Sequence, residues 1–310
     1  MTSTPADFTA IARLIAIDWG TSNLRLWVMD ESGHILAERR SDKGMSQLSQ
    51  QDYPKVIEEL LSDYDLPSSI PIVICGMAGA RTGWQEAPYL SLPASFADLA
   101  THAVQLSDGR HNVSIIGGMA QIKGRRPDVM RGEETLLYGA YLSQALAARA
   151  LICLPGTHSK WVHLADDKVT SFTSFMTGEL YQLISQKSLL ASLIKDDEFD
   201  EAVFGEAVQD GKEAPQKFSA DLFGLRAANL LSHPRGRAPA SRLSGLLIGA
   251  EIAGAWQDDK ADTPLYLLAS GKSKMLYQLA FDALSLQHKV IEADEMAQIA
   301  LHNLGQKLAT

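Results

Sequence analysis

Two stretches of this chain begin alike, with an apolar strand-like run, a short turn rich in glycine and polar residues, and a second strand-like run. The three parts are Leu14–Trp19, Gly20–Asn23 and Leu24–Asp30 in the first stretch, and Leu151–Leu154, Gly156–Ser159 and Lys160–Leu164 in the second. An order of elements that recurs without a short fixed period indicates two similar fold units, not a solenoid or propeller. We therefore predict two domains, residues 1–145 and 146–310.

The remainder of each half alternates strand and helix patterns, which predicts an α/β fold with mixed sheets. In the first half the predicted elements are the strand Ile35–Arg40, the helix Tyr53–Tyr64, and the strands Ile70–Cys75 and Val113–Ile116. In the second half they are the strand Lys168–Phe172, the helices Ala220–Leu231 and Ser241–Gln257, the strand Leu265–Ala269, the helix Lys272–Leu286, a short strand near Val290 and the helix Ala293–Leu308. We expect Ser241 to cap its helix, and the last helix is a candidate for packing back on the first domain.

Charge and composition exclude several classes of protein. Of 310 residues, 28 are Lys or Arg and 37 are Asp or Glu, so the net charge of -9 makes nucleic acid an unexpected partner. Cys75 and Cys153 each end an apolar run, and we interpret both as reduced and structural. Asp18 and Glu251 interrupt the apolar segments that come nearest to a secretion signal or a membrane span. These features predict a cytoplasmic protein with no membrane partner.

Asp18 and the turn after it form a candidate phosphate and metal site. Gly20 can adopt backbone conformations closed to other residues, and Thr21, Ser22 and Asn23 present polar side chains and backbone N–H groups that could bind a phosphate. Asp18 would then face the metal ion that accompanies the phosphate. A plain hairpin turn is the alternative interpretation.

The second turn carries a similar set of donors. They are Gly156, Thr157, His158, Ser159 and Lys160. This concentration of donors predicts a second phosphate contact, although Pro-Gly favours an ordinary turn on its own. Ser270-Gly271, between a predicted strand and the head of a helix, is a weaker candidate for contact with a nucleotide base or ribose.

Two acids open a predicted apolar helix near the middle of the chain. Glu133 and Glu134 follow Gly132, which breaks the chain before them. Acids in the first turn of a helix are favoured by its dipole, so capping is one interpretation. A carboxylate there could also take a proton from a hydroxyl or order a metal-bound water, so both are candidate catalytic residues.

A glycine-rich loop after the strand Ile70–Cys75 is a candidate site for a small anion. It reads Gly76-Met77-Ala78-Gly79-Ala80-Arg81-Thr82-Gly83-Trp84. Arg81 could bind a carboxylate through two hydrogen bonds, or the loop could be a surface turn with a solvated arginine. The sequence contains no P-loop, Gly-x-Gly-x-x-Gly fingerprint, zinc spacing or nucleophile elbow.

The two turns, with Asp18, Arg25 and Ser270-Gly271, resemble the phosphate and adenosine motifs of the actin-like ATPase and sugar kinase superfamily. More narrowly, Cys75–Trp84, Arg131–Thr135 and Leu154–Trp161 are similar to the 2-dehydro-3-deoxygalactonokinase family. The resemblance implies two RNase H-like domains of the actin/hexokinase type, with mixed five-stranded sheets flanking a cleft for ATP and substrate. It also implies ATP-dependent phosphorylation of the 6-hydroxyl of 2-dehydro-3-deoxy-D-galactonate in galactonate catabolism.

The same resemblance implies roles for individual residues. ATP would bind with Mg²⁺ through both turns and Ser270-Gly271, and Asp18 would order the metal. Glu134 or Glu133 would receive the proton of the sugar hydroxyl. The Gly-Glu-Glu segment is also similar to that of exopolyphosphatases, in which a glutamate assists attack on phosphate. Implied substrate contacts are Gly76, Met77, Ala78, Arg81, Trp84 and Arg131, the two arginines being candidates for binding the carboxylate.

One departure and several alternatives accompany this interpretation. Leu154-Pro155 stand where many superfamily members carry an acid, which puts a second metal carboxylate from that position in doubt. The alternatives are a kinase for another keto-deoxy sugar acid, a phosphohydrolase or ATPase of the same superfamily, and a non-catalytic sugar or nucleotide sensor. An apolar face on a late helix is compatible with a homodimer or with packing inside its own domain.

Overall fold

The structure is a computed structural model that describes residues 10–107, 111–123, 126–194, 198–256 and 263–309. Its strands are β1 Leu14–Trp19, β2 Leu24–Met29, β3 Ile35–Ser41, β4 Ile72–Gly76, β5 Tyr89–Ser91, β6 Ala94–Ser95, β7 Val104–Ser107, β8 Asn112–Ile115, β9 Gly118–Gln121, β10 Asp128–Met130, β11 Arg149–Leu154, β12 Ser159–Ala165, β13 Lys168–Phe175, β14 Leu265–Ala269 and β15 His288–Glu292. Its α-helices are α1 Tyr53–Leu61, α2 Glu133–Leu142, α3 Thr177–Lys187, α4 Ala191–Ile194, α5 Glu201–Glu213, α6 Phe218–Leu230, α7 Pro239–Ala255, α8 Gly271–Ala283 and α9 Ala293–Leu308. None of the described helices is long and apolar enough to cross a membrane.

The chain divides into two compact units. Unit 1 comprises residues 1–146, 165–171 and 293–310, and unit 2 comprises residues 147–164 and 172–292. The terminal helix α9 therefore belongs to unit 1, although it follows directly on β15 of unit 2.

Unit 1 is built on a mixed sheet with strand order β3-β2-β1-β4-β8-β7. The first three strands form an antiparallel meander, β1, β4 and β8 are parallel, and β7 returns antiparallel to β8. The expected five-stranded sheet is thus wrong by one strand, because the edge strand β7 pairs with β8 and, at four residues, is too short to be recognised from its alternation. A smaller sheet, β10-β9-β5, lies in the same unit.

Helices α2 and α9 pack closely in unit 1. A Cβ on Gly139 of α2 would lie 2.0 Å from the carbonyl oxygen of Met296 on α9, so the two backbones approach as only glycine permits. The Tyr138 hydroxyl donates to Asn303 Oδ1 at 2.6 Å and accepts from Lys307 Nζ at 2.8 Å. Helix α9 also contacts β1 and β4, so it supports both the central strands and the helix that begins at Glu133.

Unit 2 contains the strands β15-β14-β11-β12-β13, with β14 parallel to both of its neighbours. A sixth strand joins this sheet as well, because the first residues of β13, which belong to unit 1, pair with Ala94 and Ser95 of β6. Helices α5, α7 and α8 cover the sheet with a core that includes Phe204, Ile248 and Phe281.

Most elements with strong apolar patterns were predicted from sequence to within two or three residues, and β1, β14 and α9 agree at both ends. The predicted cap at Ser241 is wrong, because Pro239 already occupies the first turn of α7 and the Ser241 hydroxyl accepts instead from the Asp200 N–H at 2.9 Å. The predicted end of that helix, Gln257, lies outside the described residues.

Candidate active site

The first candidate phosphate turn lies between β1 and β2 of unit 1. The Gly20 N–H donates to the Asn23 carbonyl at 2.8 Å, which closes the turn and leaves Thr21, Ser22 and Asn23 exposed. The segment around Gly44, which sequence reasoning missed, supports the turn from behind, since the N–H groups of the two residues that follow Gly44 donate to the Gly20 and Thr21 carbonyls at 3.1 and 3.0 Å. The exposed side of the turn is therefore held in place and accessible to an anion.

Asp18 stands at the end of β1 beside this turn, and its carboxylate is already paired. Arg25 Nη2 donates to Asp18 Oδ2 at 2.8 Å, and Arg25 Nη1 pairs with Asp294 at the start of α9. Burial lowers the pKa of Arg25 and the two carboxylates raise it, with a net change upward. Asp18 is thus half-buried and fixed in direction by a permanently charged guanidinium.

The adjacent strand β4 ends beside Asp18. The Cys75 thiol donates to Asp18 Oδ1 at 3.7 Å, and burial together with the charges of Asp18 and Glu134 raises the pKa of Cys75 well above its usual value. Gly76 has φ +88°, and a Cβ there would lie 2.5 Å from the Trp19 carbonyl oxygen. Only glycine fits, which lets β4 end in contact with β1 at the carboxylate.

Glu133 and Glu134 begin α2 close to the end of β4, since a Cβ on Gly132 would lie 3.3 Å from the Gly76 Cα. The Gly132 N–H donates to both carboxylate oxygens of Glu134 at 2.9 and 2.8 Å, and the Arg131 N–H donates to Glu133 Oε2 at 2.9 Å. Glu134 is completely buried, Glu133 only partly. Burial, and then the charge of Glu133, raises the pKa of Glu134 to about 8.

Arg131 has an unusual environment for a buried arginine. Its side chain is held by the Ala87 carbonyl, which accepts from Nη2 at 2.8 Å, and by the Tyr89 ring, whose centroid lies 4.3 Å from the guanidinium carbon. The residue is 9% exposed, and its Nε and Nη1 have no hydrogen-bond partner within the described residues. A buried cation with two unused donors is costly unless an anion binds to it, so Arg131 has the chemistry of a carboxylate anchor.

Other residues of the predicted substrate loop lie in different surroundings. Arg81 is exposed, with Nε 3.7 Å from Glu86 Oε1. Ala78 is buried, Met77 is half-buried, and the Trp84 ring stacks on Tyr53 with the centroids 5.7 Å apart and packs on the core of unit 1. Arg131 therefore combines the burial and the unused donors that a desolvated anion site needs, whereas Arg81 is exposed to solvent.

The second candidate phosphate turn lies between β11 and β12 of unit 2. Gly156, Thr157 and His158 are exposed, whereas Ser159 and Lys160 are buried. The turn rests on the start of α3: a Cβ on Gly178 would lie 2.4 Å from the Gly156 carbonyl oxygen, and the Glu179 N–H donates to the Thr157 carbonyl at 3.0 Å. His158 Nε2 lies 2.5 Å from Glu179 Oε2, and Lys160 Nζ donates to the His158 carbonyl at 2.9 Å.

A cavity of about 380 Å³ opens beside this turn, wholly within unit 2. Gly156, Gly178, Ser244, Lys272, Ser273 and Tyr277 are among its lining residues. Ser270 is the N-cap residue of α8, and Gly271 follows it with φ +61°. The predicted adenosine motif therefore lies at the start of the helix that supplies Lys272 and Ser273. A mainly apolar cavity with a few polar groups beside a phosphate turn has the form of a nucleoside site.

The fold and these two turns define the class: the protein has the two-unit fold of the actin-like ATPases and sugar kinases. Its backbone matches the activator of 2-hydroxyisocaproyl-CoA dehydratase from Clostridium difficile with bound ADPNP, with a TM-score of 0.50 at 10% identity over 96% of this chain and 95% of that one, a likeness of fold alone. The family follows from closer relatives. Residues 18–304 match the family model of 2-keto-3-deoxy-galactonokinase, and the chain belongs to that family.

Two curated relatives and one solved structure agree with this family. The chain is 42% identical to a probable 2-dehydro-3-deoxygalactonokinase of Rhizobium meliloti (strain 1021) over 92% of this chain and 94% of the relative. It is 34% identical to the 2-dehydro-3-deoxygalactonokinase of Escherichia coli (strain K12) over 96% and 99%. The crystal structure of a candidate 2-dehydro-3-deoxygalactonokinase from Sinorhizobium meliloti matches with a TM-score of 0.89 at 40% identity, covering 95% of this chain and 96% of the other.

Proposed function

We propose that this protein transfers the γ-phosphoryl group of ATP to the 6-hydroxyl of 2-dehydro-3-deoxy-D-galactonate, giving ADP and the 6-phosphate within galactonate catabolism. The observation that carries the proposal is the combination, in one family member, of two candidate phosphate turns with a buried Arg131 whose Nε and Nη1 have no partner in the described part of the chain. The substrate is an acid, and a buried guanidinium with two free donors is suited to a carboxylate.

The chain's own residues have separable tasks in this reaction. The backbone N–H groups and hydroxyls of the two turns bind phosphates, the cavity beside Gly156 takes the adenosine, and Arg131 orients the sugar acid through its carboxylate. As the bond from the γ-phosphorus to the bridging oxygen breaks and the bond to the sugar oxygen forms, Glu134 accepts the hydroxyl proton. Phosphoryl transfer depends mainly on alignment and charge stabilisation, so the proposed task of these groups is to bind and orient the two substrates.

Asp18 is the residue that we expect to act on the metal. No group of three or more His, Cys, Asp or Glu side chains in the described part of the chain could hold a metal ion by itself. One carboxylate is nevertheless enough for Mg²⁺ that arrives on ATP, because this ion takes most of its ligands from phosphates and water. Bound there, Mg²⁺ would neutralise phosphate charge; Asp18 would orient it.

A coupled assay of ADP release tests the reaction directly. With Mg²⁺ and ATP, we expect release to depend on 2-dehydro-3-deoxygalactonate and to be slower with its gluconate epimer. Equal release without any acceptor would replace the proposal by an ATPase, and no release with any acceptor would favour a sensor. The reaction is proposed to be cytoplasmic, and a homodimer stays a prediction.

Replacing Asp18 with Asn should raise the Mg²⁺ concentration for half-maximal rate severalfold and lower kcat. The amide keeps the size of the side chain and an oxygen for Arg25 but loses the charge that attracts the cation. The measurement is a Mg²⁺ titration at fixed ATP, with Asp30→Asn in the β2–β3 turn of the same sheet as the control. A normal Mg²⁺ response in the Asp18→Asn variant would remove Asp18 from the metal site.

A further inference from the structure

Glu251 lies completely inside unit 2 and takes no part in the reaction described above. It is 2% exposed on α7, and its carboxylate accepts hydrogen bonds from three other elements. Trp161 Nε1 of β12 donates to Oε1 at 2.8 Å, and the Tyr277 hydroxyl of α8 donates to Oε2 at 2.8 Å. The hydroxyl of Thr177, the first residue of α3, donates to the same Oε2. The Ser159 hydroxyl is a further hydrogen-bonding neighbour, so the buried carboxylate is surrounded by donor groups.

Two branches of this network reach the second phosphate turn. Tyr277 also bonds to Ser159, the turn's last hydroxyl, with 2.9 Å between their oxygens. Thr177 precedes Gly178, which is packed against the Gly156 carbonyl. Thr177, Gly178 and Tyr277 line the cavity beside the turn as well. One carboxylate is therefore joined to both supports of the turn and to the wall of the cavity.

We propose that Glu251 is a positioning residue for the nucleotide, which holds the second phosphate turn and the adjoining cavity wall in the geometry that ATP binds. This inference rests on the proposed function, because it needs the cavity to be the ATP site. Glu251 itself touches no reacting atom. It acts through Thr177 and Tyr277.

A carboxylate is needed here because every neighbour donates. A Gln at this position could be oriented in two ways. Its amide N–H₂ would face either Trp161, whose indole N–H cannot accept a hydrogen bond, or the hydroxyls of Thr177 and Tyr277, which would have to accept instead of donate. The side chain would still fill its space. The change therefore separates the hydrogen-bond function of Glu251 from its packing.

The test is the kinetics of the full-length Glu251→Gln variant. We expect the KM for ATP, and the Kd for ATP measured without sugar acid, to rise about tenfold or more, as for loss of a hydrogen bond to a charged group. The KM for the sugar acid should stay within about twofold on the same scale. Tyr277→Phe should give part of this effect, and the double variant should show less than the sum.

Two control variants distinguish a failure of this inference from a failure of the proposed function. Glu206→Gln removes an exposed carboxylate charge in the same unit, whose partner Arg242 keeps its ion pair with Asp210, and should leave both KM values unchanged. Ser244→Trp fills the cavity and should weaken ATP binding. If Ser244→Trp has no effect, the cavity is not the ATP site and that part of the proposed function fails. If Ser244→Trp weakens ATP binding but Glu251→Gln leaves both KM values unchanged, as Glu206→Gln should, the positioning role is overturned. It is also overturned if Glu251→Gln raises the KM for ATP and the KM for the sugar acid equally.

Discussion

Replacing Glu134 with Gln is expected to lower kcat by about 10²- to 10⁴-fold, the usual contribution of a general base. The amide cannot take the proton of the 6-hydroxyl, although it has the size of the carboxyl group and can keep one oxygen for the Gly132 N–H. Steady-state rates at saturating ATP and sugar acid measure the effect. Among the acids near Asp18, Glu134 has a pKa raised into the range where a base works well at neutral pH.

The pH dependence gives this prediction a second readout. Because the pKa of Glu134 is about 8, the wild-type kcat should rise with pH and level off above that value, and the rise should be absent in Glu134→Gln. The stability of the folded protein should change in the opposite direction and fall as the pH rises. Between the ordinary pKa of 4.5 and about 8 the folded protein keeps a proton that the unfolded chain has lost, so the wild-type Tm should fall as pH rises through this window. That fall should be weaker in the variant.

Glu133→Gln is the matched control, since it makes the same chemical change one residue away. Glu133 accepts a hydrogen bond from the Arg131 backbone and is only partly buried, so we expect a smaller loss of kcat. The rise of kcat with pH should be kept but should move to lower pH, because the charge of Glu133 helps to raise the pKa of Glu134. A larger loss in Glu133→Gln than in Glu134→Gln would assign the base to Glu133 and leave Glu134 as a buried cap of α2.

Replacing Arg131 with Met should raise the KM for the sugar acid by about 100-fold and leave the KM for ATP nearly unchanged. This estimate corresponds to the loss of a bidentate, charge-assisted pair of hydrogen bonds in a desolvated site. Arg131→Lys keeps the charge but not the planar pair of donors, so it should recover only part of the affinity. Arg81→Ala is the control, because the exposed Arg81 is near Glu86 and should contribute little.

Thermal unfolding separates binding from damage to the fold in this series. The sugar acid should raise the Tm of the wild type and not of Arg131→Met. Without substrate, Arg131→Met should be no less stable than the wild type, since it removes a buried guanidinium whose Nε and Nη1 have no hydrogen-bond partner within the described residues. An unchanged KM in both arginine variants would place the carboxylate anchor elsewhere.

Sequence reasoning predicts best where local pattern and burial coincide. The spacing of apolar residues in β1, β14 and α9 indicates both the type of element and where it begins and ends, and the predicted bounds of these elements are confirmed at both ends. The short strands β9 and β10 have no such pattern, and their pairing depends on tertiary contacts that the local sequence does not show. Residue types at the two turns likewise predict phosphate binding, although an ordinary hairpin turn uses glycine and hydroxyl residues as well.

What the sequence does not contain is the partner of each side chain. Arg81 and Arg131 look equivalent in a glycine-containing segment, and only tertiary packing shows that one is exposed and the other buried with unused donors. From the sequence, Trp84 is a candidate substrate contact, whereas in the structure its ring stacks on Tyr53. The network around Glu251 joins residues 26 to 90 positions apart, a separation at which no local pattern carries information.

The place of α9 in unit 1 has a consequence for how this protein is made. Leu14 of β1 is packed against Gly305, and Gly139 of α2 against Met296, so β1 and α2 receive neighbours from a helix that is synthesised much later than they are. Unit 1 cannot complete its core until α9 has left the ribosome, and the surfaces of β1, β4 and α2 that α9 contacts stay uncovered until then. A nascent chain stalled before residue 293 should therefore remain sensitive to protease in its first 146 residues, however long it is held there.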